Sequence, residues 1–348
     1  MLMSDEKYRV ILEKDPTDTR AFVALCNSAK LYSDYQYLAE LYAFRAQVIM
    51  DSKEIADLFF KAGSIYADKL DKLPDAVIAF LRGFEADKTH AGIGDRLDAI
   101  YRYAADWESV LLIAEQRVEA LDLADRSGEK TAIRSDLHRQ VGEIWKTVYG
   151  DKIKALGHYE RSIDLDKTNI RALYGAREFC YSAGEFKNAA KLCELEARAE
   201  QKPERRSALY RELASIYETK LTETDKAVTA LKRALEATPQ NLEIKDELAR
   251  LIPITSLTGD TAKDHQWATD YLVRKAGDSN ERESINLLAR AIISTPTDER
   301  ALAAVESATK RKGNTQVLAD AYTSIISRLP SAEHKAPIIR RLVSIYRV

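Results

Sequence analysis

At 348 residues the chain is long enough for two or three ordinary domains, yet it holds only 13 glycines and 8 prolines, a balance that favours helix throughout. Its 53 basic and 55 acidic side chains leave a net charge of −2, which excludes a chain-wide field able to hold a nucleic-acid backbone. No apolar run has the length of a signal peptide or a membrane span, so a cytoplasmic protein is expected.

The elements follow in chain order. Residues 5–15 read as a helix with Tyr8, Ile11 and Leu12 on one face, closed by Pro16. It matches only the second half of the helical hairpin that the rest of the chain repeats. From residue 19 the first full hairpin places Phe22, Leu25, Cys26 and Ala29 on one helix and Leu38, Tyr42, Arg45 and Ala46 on the next, with a tight break at Ser33-Asp34-Tyr35. The second hairpin has Phe59, Ala62, Gly63 and Tyr66, a longer turn over Lys69 to Asp75, then Ala76 and Phe80, closing at Asp87-Lys88-Thr89-His90. A third returns to the tight turn at Ala105-Asp106-Trp107, and the polar stretch from Asp125 to Lys130 lengthens the connection that follows. The fourth restores the long turn, with His138, Val141, Gly142 and Trp145, then Ala155 and Tyr159, closing at Asp166-Lys167-Thr168-Asn169. The fifth is tight at Gly184-Glu185-Phe186. The sixth, Ser207 to Pro239, is the most complete copy: Tyr210, Leu213, Ala214 and Tyr217 lie at helical offsets, a polar break separates them from Ala227, Leu231 and Ala234, and Pro239 ends the unit.

Tight and long turns alternate, so the duplicated element is a pair of hairpins. After Pro239 the pattern weakens. Leu242 to Leu251 reads as a first helix, but Ile252 to Asp260 holds a proline and a glycine where a second helix should begin. Trp267 and Tyr271 start a further helix, Ile285, Leu288 and Ala291 mark another, and regular hairpin spacing resumes at Leu302, with a turn at Gly313-Asn314 and a stop at Pro330. The last segment, with Ile339, Leu342, Val343 and Tyr346 on one face, reads as a first helix without its partner. The expected organisation is therefore an orphan second helix over 1–18, a repeat array over 19–251, an irregular junction over 252–280 and a C-terminal continuation over 281–348. Bare apolar stripes at both ends imply either end-to-end self-association or a piece cut from a longer array.

The skeleton Tyr210-x2-Leu213-Ala214-x2-Tyr217, Ala227-x3-Leu231, Pro239 resembles the tetratricopeptide repeat (TPR), a helix-turn-helix unit of about 34 residues. The resemblance implies an all-α fold, a right-handed superhelical α-solenoid of stacked hairpins, because single hairpins cannot cover both of their stripes. It implies a non-enzymatic scaffold or adaptor that binds a peptide, helix or folded partner in the groove of the superhelix. The alternating pairs are similar to those of large bacterial multi-TPR proteins, some of which serve motility, polarity, secretion or envelope assembly.

Nothing in the sequence reads as catalytic, cofactor-binding or metal-ligating. The five histidines are scattered and none is paired at i, i+4. Gly92-Ile93-Gly94 lacks the third glycine and the preceding strand of a phosphate loop. Cys26, Cys180 and Cys193 have no ligand spacing, fall on apolar stripes and read as small core residues of a reducing compartment.

Function is expected on the face of each first helix opposite its apolar stripe. That face carries Arg20, Asn27, Lys30, Phe60, Lys61, Arg96, Arg102, Tyr103, Arg139, Lys146, Arg171, Tyr174, Tyr181 and Arg211, and tyrosine with arginine is the pairing enriched at binding hot spots. Asn27, Lys61 and Arg96 are fragments of the Lys/Asn set with which some TPR proteins hold chaperone C-terminal carboxylates, but no two adjacent units complete it. Two further readings stand beside the scaffold: an RNA-binding helical-repeat array, which the balanced charge disfavours, and a regulatory domain of a larger enzyme.

Overall fold

The computed structural model describes residues 3–124, 128, 130–254, 261–310, 315–329 and 331–346. The expected turn at Gly313-Asn314, the stop at Pro330, most of the polar stretch from Asp125 and residues 255–260 of the expected junction lie outside them. The described residues form helices with no strand, and the chain divides into two compact units, residues 1–179 and 180–348.

The first unit holds α1 (Met3–Lys14), α2 (Thr19–Leu31), α3 (Tyr35–Val48), α4 (Ser52–Asp68), α5 (Leu73–Ala86), α6 (Ala91–Tyr103), α7 (Trp107–Ala124), α8 (Thr131–Thr147), α9 (Lys152–Leu165) and most of α10 (Ile170–Ser182). First helices alternate in length: α2, α6 and α10 have 13 residues, whereas α4 and α8 have 17. The turns set this alternation. After a short first helix, Ser33 (φ 57°), Ala105 (φ 55°) and Gly184 (φ 79°) take the left-handed conformation, and the amides of Asp34, Asp106 and Glu185 donate to carbonyls five residues back. After a long one, the left-handed residues are Asp71 (φ 51°) and Gly150 (φ 68°), and the amides of Lys72 and Asp151 reach six residues back, to Tyr66 O and Trp145 O. The extra residue of the long turn is thus taken up in one wider hydrogen-bonded loop.

The entry to each short first helix is a second recurring device. Asp15, Asp87 and Asp166 each accept from the backbone and hydroxyl of the threonine two residues on. The next residue, Asp18, His90 or Asn169, then caps the new helix by accepting from the amide three residues later. Side-chain caps of this kind satisfy amides that the first helical turn leaves unpaired, each contributing about 1 kcal/mol.

The second unit continues with α11 (Phe186–Ala199), α12 (Pro203–Thr219), α13 (Thr224–Ala237), α14 (Leu242–Leu251), α15 (Ala262–Gly277), α16 (Glu281–Ser294), α17 (Glu299–Lys310), α18 (Thr315–Arg328) and α19 (Ala332–Tyr346). α12 is again 17 residues, with Thr222 left-handed (φ 56°) and the Glu223 amide bonded to Tyr217 O. The stretch expected as irregular is mostly helical: a 3-10 turn over Ile252–Ile254 follows α14, and the 16-residue α15 buries Ala268, Thr269, Leu272 and Ala276. The apolar spacing of Ala268, Leu272 and Ala276 is long enough to sustain this helix.

The three cysteines are buried and form no disulfide. Burial pushes Cys26 up to about 11 despite the nearby charges of Lys30 and Lys61, so the thiolate is scarce at neutral pH. The native protein is expected to resist alkylation by iodoacetamide at pH 7.5 and to take three labels only in denaturant; rapid native labelling of Cys26 would contradict the packing described here.

Candidate interaction surface

The long first helices α4 and α8 are each seated by a glycine placed against a large ring on their own second helix. A Cβ at Gly63 of α4 would lie 2.5 Å from the Phe80 ring of α5, and one at Gly142 of α8 would lie 3.0 Å from the Tyr159 ring of α9. Phe80 and Tyr159 are 0% and 1% exposed, and Ala214 and Leu231 share the corresponding cluster in the second unit. These are the small and large positions of the skeleton quoted above, now in contact. The hairpins are tetratricopeptide-like.

No family model matches the chain, and no curated protein matches it. Among solved structures it is similar to a chain of the Naa15/Naa10 complex bound to HypK-THB, at 13% identity over 99% of this chain and 63% of that one, TM-score 0.40. It is also similar to Pseudomonas aeruginosa pilF, at 13% identity over 71% and 99%, TM-score 0.35. A third is the C-terminal part of a TPR repeat-containing protein from Cytophaga hutchinsonii, at 17% identity over 72% and 98%, TM-score 0.35. These likenesses concern helical-repeat fold alone, and the tetratricopeptide-like assignment rests on the seated slots and the repeated turns.

Within each unit of the tetratricopeptide-like array the first helices are cross-linked by ion pairs. In the first unit Arg96 of α6 grips Asp68 of α4 through two bonds, 2.6 and 3.1 Å, and Lys146 of α8 meets Glu178 of α10. Arg171 of α10 adds its charge to that of Arg139 around Asp136 of α8; burial opposes ionisation of this carboxyl, but the bonds from Arg139 and Gln140 outweigh it. In the second unit Arg211 of α12 reaches Glu243 and Glu247 of α14, while Arg250 of α14 returns to Glu218 of α12. The ladder continues from α14 to α15 through Asp246 and Lys275, from α15 to α17 through Asp270 and Arg300, and from α17 to α19 through Glu299, Glu306 and Arg341. α15 thus follows α14 as another first helix. Exposed pairs of this kind contribute about 0–1 kcal/mol each; their larger effect is to remove cations from the face.

The fourteen expected face residues divide accordingly. Arg96, Lys146 and Arg211 belong to the ladder, and Arg102 and Arg139 are held on their own helices by Asp98 and Asp136. Phe60 is half-buried, packed on Phe80 and on the His90 ring 5.2 Å away, so most of its area is already spent on the core. Tyr103 stands 92% exposed. Tyr174 lies 46% exposed beneath Lys146 and Arg177, and Tyr181 leans on Phe186 edge-on. A different pattern holds on α2 and α4: Arg20, Asn27, Lys30 and Lys61 are exposed and, among the described residues, none of their side chains has a hydrogen bond or carboxylate partner. Lys61 only approaches the Tyr42 ring, at 5.9 Å. Lys30 and Lys61 both lie near enough to the Cys26 thiol for their charges to act on it.

The histidines are less scattered than their sequence positions suggest. His138 of α8 and His158 of α9 face each other with 3.2 Å between their Nδ1 atoms, a pairing that a separation of twenty residues across a turn does not announce. Gly92 and Gly94 lie in the first turns of α6 against Phe60 and Arg117, which is packing and not a phosphate cradle. Among the described residues no three His, Cys, Asp or Glu side chains are placed to hold a metal together, and no helix is long and apolar enough to cross a membrane.

Proposed function

We propose that the chain is a non-enzymatic protein-interaction scaffold whose first-helix face on α2 and α4 docks an acidic segment of a partner protein. The observation that supports this is the unmatched set Arg20, Asn27, Lys30 and Lys61. Elsewhere on that face Arg96, Arg102, Arg139, Lys146 and Arg211 pair with carboxylates on a neighbouring helix or on the same one, whereas here three cations and an amide are exposed on helices that also expose Val23 and Leu31. An acidic chain regains across the interface the counter-charges that the fold itself does not supply, and the apolar residues add area. Participation in a bacterial motility, polarity or envelope-assembly complex is part of the same proposal and rests on the alternating repeat pairs alone.

Fluorescence anisotropy with labelled acidic, neutral and basic peptide pools tests the reading. The acidic pool is expected to bind, more weakly as salt rises, and the triple variant R20E/K30E/K61E to lose at least about tenfold in affinity. Equal binding of all pools, or an unchanged triple variant, overturns it. Tighter binding of single-stranded RNA than of any peptide would move the conclusion to the nucleic-acid reading.

A further inference from the structure

Two imidazoles facing each other in a partly covered site can share only so many protons. The His138 side chain is 5% exposed and its Nε2 lies 3.3 Å from Asp122 of α7. With Nε2–H donated to Asp122, the Nδ1 of His138 carries a lone pair, and the Nδ1–H of His158 is the donor across the 3.2 Å gap. This arrangement tolerates one added proton, on His158 Nε2, while a second forces two like-charged rings together in the same site.

The surroundings carry as many basic as acidic groups. α7 contributes Asp122, Glu115 and Glu119; α8 contributes Arg134; α9 contributes Lys154 and Arg161. Asp122 already accepts from Arg134 at 2.7 Å, and Glu115 accepts from the Trp145 indole at 3.1 Å. Arg161 repels charge on both rings. Burial first, then His138 and Arg161, push His158 down to about 4, and burial also lowers His138 although Asp122 opposes it. Over the pair a cleft of about 680 Å³ separates α7 from α9, lined by Val118, Leu123 and Gly157. Among the described residues no ion pair crosses it from Glu119 to Lys154 or Arg161.

We propose that the His138–His158 pair is an acid-sensitive latch, whose protonation loosens α7, α8 and α9 locally while α2 to α5 remain folded. Water reaches the half-buried His158, but it can solvate a charge on the His138 ring, 5% exposed, only as the cleft widens, and among the described residues no crossing ion pair resists that widening. The sign follows from the folded protein binding fewer protons than the unfolded chain: the stabilisation is complete above the ordinary histidine value near 6.5 and is lost as pH falls from there towards about 4.

Segment-resolved hydrogen exchange from pH 7 to 4.5, corrected for intrinsic exchange, tests it. Peptides from α7 to α9 are expected to lose up to about tenfold in protection per pH unit for each proton taken up, with α2 to α5 unchanged, and H158Q is expected to abolish the dependence. Local readout keeps the effect apart from His265, which is buried in the second unit. Uniform protection across this range overturns the proposal. Because H158Q can weaken the hairpin for other reasons, the wild-type His158 ring proton is also followed by NMR: a midpoint well below 6 supports the latch, and one near 6.5 overturns it.

Discussion

Replacing Tyr159 by alanine is expected to destabilise the α8–α10 segment by about 3–5 kcal/mol, the range for deleting a large buried aromatic side chain. The ring is 1% exposed and lies in a slot walled by two glycines. A Cβ at Gly142 would sit 3.0 Å from it on one side, and one at Gly175 would sit 2.6 Å from it on the other. Glycines have no side chain that can lean into the vacated space, so the cavity stays largely open and the cost falls towards the upper end of the range. Tyr159→Phe separates packing from polarity. It keeps the ring and loses only the 2.6 Å bond that the phenol donates to Glu143. Because Glu143 is exposed and can take water instead, about 1 kcal/mol is expected. Local unfolding free energies from hydrogen exchange are the right measurement, since two compact units need not melt together. An alanine variant within 1 kcal/mol of wild type would show that the slot is not closed in solution.

The second large effect is the reverse substitution, filling a slot instead of emptying it. Gly63→Ala brings about 1 kcal/mol of helix propensity, yet the new methyl would lie 2.5, 2.7 and 2.9 Å from three atoms of the Phe80 ring. Phe80 has no exposed edge along which to retreat, so overpacking of about 1–3 kcal/mol outweighs the gain, and Gly63→Leu is expected to prevent α4 and α5 from pairing. Gly157 provides the contrast: nothing lies within 4 Å of its added Cβ, and Gly157→Ala is expected to raise helix stability by about 1 kcal/mol. The double variant G63A/F80L tests the mechanism directly. Restored stability relative to G63A, measured as a coupling energy of about 1–2 kcal/mol in urea unfolding, is the expected result; additive losses would assign the cost to something other than this contact.

Sequence reading reached the alternation of hairpins because its signals are local. Ser33-Asp34-Tyr35 and Ala105-Asp106-Trp107 look alike in sequence because the same left-handed residue and the same backbone bond recur in the fold. The matching closures at Asp87 and Asp166 were visible for the same reason, although the copy beginning at Asp15 was masked by Pro16. Helix α15 was anticipated from Trp267 and Tyr271 but not its start at Ala262, because apolar spacing shows only the packed face of a helix and not its polar first turn.

The interaction face was legible as positions and not as chemistry. Arg211 and Lys30 look equivalent in sequence, each on the polar side of a first helix. In the fold Arg211 is held by two glutamates of α14, 32 and 36 residues away, while Lys30 has no partner among the described residues. The same holds for His138 and His158, which a twenty-residue separation hides and a hairpin unites.

By itself the sequence determined the helices, their pairing into hairpins, the alternation of turn lengths and the small-against-large contacts within each pair. All of these depend on side-chain spacing along one helix or across one short turn, where covalent geometry fixes distance. Tertiary structure alone decided which cations the fold pairs with carboxylates, which it leaves unpaired among the described residues, and that two histidines meet. Those outcomes depend on how closely side chains approach between packed helices, within one hairpin or between successive ones, a distance set by packing and not by the number of residues between them.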